Sequence, residues 1–182
     1  TTDKWTSENG GSCGDCGTYN MGHVVFCGDC GTMLLKTIEE KLEIISSYPL
    51  KEIRGLVHTF VAKLAKLNVH STEDLLRVGT RRANRATLTK QSGMSERSLV
   101  RLLHQSDLCR IPSLDPESVA LLELIGVQTL AEFKSEKPGG LYKKIQQAKI
   151  KLNQSGIMFL PTKTKVSTWC EEALTLPEID IQ

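Results

Sequence analysis

Apolar residues recur at helical spacing through most of the chain beyond residue 50, and the pattern occurs twice. Residues 53–75 (IRGLVHTFVAKLAKLNVHSTEDL) align with residues 111–133 (IPSLDPESVALLELIGVQTLAEF) at an offset of 58 without a gap. The apolar positions match across the two copies, as Leu64 does with Leu122 and Val69 with Val127. A self-similarity of this length predicts two copies of one helical unit.

Each unit is predicted to contain a hairpin turn, a helix of about ten residues, a short break and a second, capped helix. Ser71 and Thr129 have the residue type and position of N-caps. Longer helices are predicted near residues 80–91 and 141–154. Both runs end in QSG, where Gly93 and Gly156 would stop a helix.

A last helix is predicted to close each unit, with Ser95 and Thr162 as its N-caps. Here the offset is 67, so the second unit carries about nine extra residues. The boundaries that follow are residues 50–108 for the first helical repeat, 109–175 for the second and 176–182 for a C-terminal tail. The apolar positions of the two closing helices are Leu99, Leu102, Leu103, Val166, Trp169 and Cys170.

The phrases STEDLLRVG, SGMSERSLVRLLHQSDLCRI and IGVQTLAEF, followed by VSTWCEEA, have a distinctive order. In that order they resemble a bacterial family of domains of unknown function built from two helix-hairpin-helix-like repeats. The resemblance covers roughly residues 50–175. It implies an all-α fold and supplies no activity, because the family is defined without one.

The two predicted hairpins differ from those of nucleic-acid-binding helix-hairpin-helix modules, which hold a phosphate on a Gly-apolar-Gly turn. The first hairpin keeps Gly55 but has Val57 where the second glycine belongs. The second has Ser113 and Asp115, and a carboxylate repels phosphate. Both departures count against DNA binding by the hairpins.

The N-terminal segment has a cysteine pattern instead, with CGDCGT at residues 13–18 and again at residues 27–32. The spacing C-x2-C-x10-C-x2-C suits Zn2+, which prefers four soft ligands in a tetrahedron. Gly17 and Gly31 permit the positive φ that each cysteine knuckle needs. The pattern predicts an N-terminal arm and zinc ribbon over residues 1–35, with one structural Zn2+ held by Cys13, Cys16, Cys27 and Cys30.

Four cysteine ligands leave no open coordination position, so the metal is predicted to be structural rather than catalytic. Two disulfides are the alternative for the same cysteines. The uneven spread of cysteines favours a reducing, intracellular compartment, either the cytoplasm or an organelle interior. A connector helix is predicted over residues 36–49, because Thr37 and Glu40 form a capping-box pattern and the run ends at SYP.

Charge adds one candidate binding surface. From Arg77 to Arg110 there are seven Arg and one Lys against one Glu and one Asp, in a chain whose net charge is only +2. The spacing places pairs of these arginines on shared helical faces. Such a surface would bind phosphates or an acidic protein surface, and a solvated helix face is the third interpretation. The residues predicted to lie on this exposed surface are Arg81, Arg82, Arg85, Arg97 and Arg101.

Motifs of catalysis and membrane insertion are missing from the sequence. There is no Walker A loop, G-x-S-x-G elbow, H-E-x-x-H pair or Gly-rich dinucleotide loop. Cys109 and Cys170 fall within apolar runs, which predicts buried, inert thiols. No run of 18 apolar residues exists, so we expect no membrane span, and we expect no small-molecule substrate.

These observations lead to two hypotheses. The first is a non-catalytic, zinc-containing adaptor or assembly subunit that docks to other protein subunits of a larger complex. The alternative is a nucleic-acid-binding protein that uses the basic region from Arg77 to Arg110.

Overall fold

The computed structural model describes residues 10–13, 16–20, 27, 29 and 46–181. This part of the chain is mainly helical, which confirms the predicted fold class. Two short strands, β1 (Gly11–Ser12) and β2 (Tyr19–Asn20), pair antiparallel with Gly11 opposite Asn20. Residues 36–45 of the predicted connector helix lie outside the described residues, and residues 46–49 are not helical.

We call residues 50–108 the first unit. It begins with a 3-10 turn (Leu50–Glu52), and its two capped helices start where the sequence predicts. Ser71 forms a capping box with Asp74, and Ser95 accepts a hydrogen bond from the backbone N–H of Ser98. Gly93 ends a helix with φ of 74°. The α-helices of the first unit are α1 (His58–Ala65), α2 (Thr72–Gly79), α3 (Arg82–Ser92) and α4 (Glu96–Leu108).

We call residues 109–175 the second unit. Thr129 forms a capping box with Glu132, and Thr162 accepts from the N–H of Lys165. The helix predicted over residues 141–154 starts earlier, at Pro138, and is divided at Ala148. Proline is tolerated at position 138 because the first N–H of a helix has no intrahelical partner in any case. The helices are α5 (Pro116–Leu124), α6 (Leu130–Ser135), α7 (Pro138–Gln147), α8 (Lys149–Gln154) and α9 (Lys163–Thr175).

Helix positions in the two units follow the predicted offsets. Helices α1 and α2 start 58 residues before α5 and α6, and α4 starts 67 residues before α9. Both α4 and α9 are 13 residues long. Their six predicted apolar positions, Leu99, Leu102 and Leu103 in α4 and Val166, Trp169 and Cys170 in α9, are all buried. Corresponding positions of the two closing helices therefore face inwards in both units.

One apolar core joins the two units and the chain that follows them. Helices α2 and α4 pack closely because residue 79 is glycine; a Cβ there would lie 2.6 Å from a methyl carbon of Leu103. The predicted tail packs against the core, with Leu176 and Ile181 buried. Buried Arg110 donates to the backbone O of Pro177 at 3.0 Å, so a hydrogen bond also fixes the tail.

Candidate functional site

Three of the four predicted zinc ligands lie together. One sulfur each from Cys13, Cys16 and Cys27 lies within 4.8 Å of the others. Cys13 directly follows β1, and its carbonyl accepts from the N–H of Gly17 at 2.9 Å. Gly17 takes φ of 78°, the left-handed conformation that the knuckle was predicted to need. The fourth predicted ligand, Cys30, lies outside the described residues.

The surroundings of these cysteines suit a metal. Cys13 and Cys27 are buried, and the side-chain amide of Asn20 donates to Sγ of Cys27 at 3.4 Å. Such a hydrogen bond orients a ligand sulfur and stabilises its thiolate. Asn20 is a supporting residue that the cysteine spacing could not reveal, because β-strand pairing brings it to the site.

The disulfide alternative does not hold for the described cysteines. Sγ of Cys16 and Sγ of Cys27 are 3.4 Å apart, whereas a disulfide bond measures about 2.05 Å. No disulfide joins Cys13, Cys16 and Cys27 to one another. An all-sulfur donor set of this kind favours Zn2+ over the harder divalent cations.

The prediction that five arginines lie on one exposed surface is wrong for Arg85, which is only 2% exposed. Its Nη1 donates to the carbonyls of Gly79 and Thr80, each at 3.3 Å. These carbonyls lie at the C-terminal end of α2, where a helix attracts positive charge. Arg81 is the N-cap of α3 rather than a residue within the helix, so it does not share a helical face with Arg85.

Other arginines of the basic stretch are also engaged within the protein. Arg101 is exposed and forms a two-point ion pair with Glu123 of the second unit. Arg77 pairs with Glu73 one turn earlier in α2. Arg110 is fully buried against Asp107. The charge count of the sequence therefore overstates the positive charge available to a partner.

The exposed arginines divide into separate places. Arg81 and Arg82 lie at the start of α3, whereas Arg97 lies at the start of α4, beyond the other end of α3. Eleven helical residues separate these places by about 16 Å. The predicted surface is thus not continuous.

Two exposed lysines, Lys63 and Lys90, lie at or close to Gly93, which precedes exposed Arg97 by four residues in the chain. Nζ of Lys63, from α1, lies 3.2 Å from the position that a Cβ on Gly93 would take. Lys90 is in the last turn of α3, three residues before Gly93, and Arg97 follows four residues after it. We call Lys63, Lys90 and Arg97 the Gly93 cluster. Tertiary packing of α1 on α3 brings in Lys63, which no local pattern reveals.

The two cysteines of the helical units have the properties of structural thiols. Cys109 is buried, and desolvation raises its pKa to about 12. Burial also raises the pKa of the Cys170 thiol. Both thiols are therefore protonated at neutral pH, and a protonated thiol is a poor nucleophile.

Comparison with known proteins gives one match. A family model described as a domain of unknown function, DUF4332, matches residues 54–176, a span that includes all the helices from α1 to α9. Neither a curated protein nor a solved structure matches the chain. Among the described residues, no helix has the length and apolar character that crossing a membrane requires.

Proposed function

Because the chain belongs to the DUF4332 family, whose description carries no activity, we propose its role from its own residues: a non-catalytic adaptor or assembly subunit that docks to other proteins. The observation that carries this proposal is the Gly93 cluster: exposed Lys63 of α1 reaches the turn between α3, which carries Lys90, and α4, which carries Arg97 beside a single exposed acid, Glu96. The partner surface that fits the cluster is acidic.

The chemistry around the cluster supports a partner interaction rather than a role in folding. Exposed cations contribute little to folding stability, and like charges held close together repel. The nearby α1 region strengthens the positive character, since residues 53–72 contain Arg54, Lys63 and Lys66 and no Asp or Glu. An acidic protein surface would relieve this repulsion.

The nucleic-acid alternative has weaker support. Burial of Arg85 and Arg110 removes two cations from the stretch proposed to follow phosphates. The distance along α3 separates Arg82 from the Gly93 cluster, whereas a duplex presents closely spaced phosphates. Three cations around one turn are better suited to a carboxylate-rich protein patch than to a long phosphate backbone. The helix-hairpin-helix character of the units stays a prediction.

We further propose that the metal is Zn2+ and that its role is structural. Cys13, Cys16 and Cys27 would hold it, with Cys30 as the fourth ligand. A segment with few apolar residues depends on its metal for folding energy, so Zn2+ would stabilise the N-terminal segment.

Charge reversal tests the docking surface. The variant Lys63→Glu/Lys90→Glu/Arg97→Glu would be compared with Lys143→Glu/Lys149→Glu/Lys163→Glu, a matched set of exposed cations in the second unit. Labelled polyglutamate and a DNA duplex would serve as probes in fluorescence anisotropy between about 50 and 200 mM salt. We expect the first variant to lower polyglutamate affinity by about tenfold or more with an unchanged Tm, and the control to lower it much less.

Two results would overturn the proposal. The first is equal loss of polyglutamate binding in both variants, or no binding by the unmodified protein. The second is tighter binding of the duplex than of polyglutamate with a steep salt dependence, which would support the nucleic-acid alternative instead.

A further inference from the structure

The hairpin of the second unit is held by the closing helix of the same unit. The indole N–H of Trp169 donates to the carbonyl of Ser113 at 2.9 Å. The backbone N–H and the hydroxyl of Ser113 both donate to Oε2 of Glu172, at 3.0 and 2.6 Å. Trp169 is fully buried in this arrangement. Helix α9 thus supplies a donor and an acceptor to its own hairpin.

The first unit has different residues at the corresponding positions. The offsets of 58 and 67 place Gly55, Leu102 and Gln105 where the second unit has Ser113, Trp169 and Glu172. A leucine side chain cannot donate a hydrogen bond, and Gln105 donates to Glu123 instead, at 3.1 Å. Within the described part of the chain, no hydrogen bond reaches the carbonyl of Gly55. The first hairpin therefore lacks the attachment to its own closing helix that the second one has, and the side chain of Arg54 instead ties it to the carbonyls of Ser155 and Gly156.

Because α4 does not hold this hairpin, a cleft of about 110 Å³ remains between residues 54–56 and α4. Apolar side chains from the hairpin, α1, the α3–α4 junction and α4 line it, and Ser98, Arg101 and Gln105 supply its polar rim. The apolar lining is formed by Leu56, Phe60, Met94 and Leu102.

The two hairpins also differ in turn type, and this determines what the cleft can bind. In the first hairpin the N–H of Leu56 donates to the carbonyl of Ile53, and Gly55 has φ of 85° while Arg54 does not have a positive φ. These angles define a type II turn. The second hairpin has the same hydrogen bond, from Leu114 to Ile111, but Ser113 does not have a positive φ, which defines a type I turn.

Type I and type II turns differ by a flip of the central peptide. In the first hairpin that flip places the carbonyl of Arg54 on the side where the second hairpin has the N–H of Ser113. The peptide that follows keeps its orientation, so the carbonyl of Gly55 corresponds to that of Ser113. The cleft consequently presents two hydrogen-bond acceptors where the second unit presents one donor and one acceptor.

This arrangement selects the chemistry of a ligand. A carboxylate in the place that Glu172 takes in the second unit would face two carbonyl oxygens, and oxygen acceptors cannot bond to each other. A cation would meet Arg101 at the rim, although Glu123 neutralises part of its charge. A neutral N–H donor on an apolar ring satisfies both the acceptors and the apolar lining. Indole, which occupies the corresponding place in the second unit as Trp169, has this combination.

We propose that the cleft between the first hairpin and α4 binds a tryptophan side chain of a partner protein, whose indole N–H donates to the carbonyl of Gly55. This site shares with the proposed function only the premise that the chain docks proteins. Its residues are not those of the Gly93 cluster, and its ligand is uncharged. Failure of one site therefore does not imply failure of the other.

The test uses the full chain labelled with 15N and N-acetyl-tryptophanamide as the probe, followed by NMR. We expect saturable shifts of the Gly55, Leu56 and Ser98 amides that do not depend on salt. The analogue methylated at the indole nitrogen, which has no N–H to donate, should bind about tenfold more weakly. The tyrosine analogue should also bind more weakly, because its ring is smaller.

Two variants make the result specific. Leu102→Trp supplies the residue of the second unit and should abolish probe binding by filling the cleft. Ser98→Arg, at an exposed rim position, should weaken it even if the first variant does not fold. Leu174→Trp, which adds an exposed tryptophan on α9, is the matched control and should leave binding unchanged. Absence of saturable shifts, equal binding of the methylated analogue, or full binding by Ser98→Arg would overturn the proposal.

Discussion

Replacement of Arg110 by methionine tests whether its charge serves the fold or a partner. The guanidinium is fully buried, donating to Asp107 Oδ1 at 2.6 Å and to the backbone O of Pro177 at 3.0 Å. Arg110→Met keeps most of the apolar volume but leaves the carboxylate of Asp107, whose side chain is 5% exposed, without its cation. Breaking a buried pair in this way costs about 3–5 kcal/mol.

The loss of folding stability in Arg110→Met should depend on pH. Burial raises the pKa of Asp107 even in the presence of Arg110, and removal of the cation would raise it further. A carboxyl group whose pKa is higher in the folded state favours folding most when it is protonated. The destabilisation should therefore be largest at neutral pH and should shrink as the pH falls towards the raised pKa.

Urea unfolding of Arg110→Met and of Arg110→Met/Asp107→Leu would measure these free energies. The double variant should recover much of the lost stability, since apolar replacement of both partners of a buried pair is often neutral or stabilising by about 1–4 kcal/mol. A cost below about 1 kcal/mol for Arg110→Met, or a double variant no more stable than the single one, would refute this reasoning. If Arg110→Met had nearly the free energy of unfolding of the unmodified protein but bound a partner less tightly, the charge of Arg110 would serve the partner rather than the fold.

Two further predictions concern a histidine and the cysteines. Burial lowers the pKa of His104 below its ordinary value of 6.5, so the unfolded chain takes up a proton first as the pH drops. Folding stability should therefore fall as the pH drops through that value, and His104→Gln should reduce this fall in thermal unfolding. Protein purified without chelator should contain about one equivalent of Zn2+ by elemental analysis, and chelation should allow alkylation of Cys16 but not of buried Cys109, whose pKa is about 12. Less than half an equivalent of zinc would contradict the second prediction.

Local signals were sufficient to predict the starts of four helices, α2, α4, α6 and α9. Ser71, Ser95, Thr129 and Thr162 all cap the helices that the sequence predicts, because an N-cap hydrogen bond joins residues only three apart. The glycine knuckle at Gly17 is equally local. Cysteine spacing likewise identified the sulfur cluster, because a metal site with two C-x2-C knuckles requires little beyond the spacing itself.

Tertiary contacts explain what the sequence analysis missed. Burial of Arg85 depends on carbonyls at the end of α2, and its charge alone indicated an exposed residue. Lys63 reaches Gly93 only because α1 packs beside α3. The start of α7 at Pro138 was missed for a different reason, since Pro-Gly-Gly normally indicates a break rather than a first helical turn.

The enclosure of Trp169 has a spectroscopic consequence. The chain has two tryptophans, Trp5 and Trp169, so a Trp5→Phe variant would retain a single indole, located where α9 meets the second hairpin. Its emission would come from a ring shielded from water and would shift to longer wavelength when that contact opens. The first unit contains no tryptophan and would be silent at the same wavelength. Intrinsic fluorescence would then follow the opening of one half of the molecule alone.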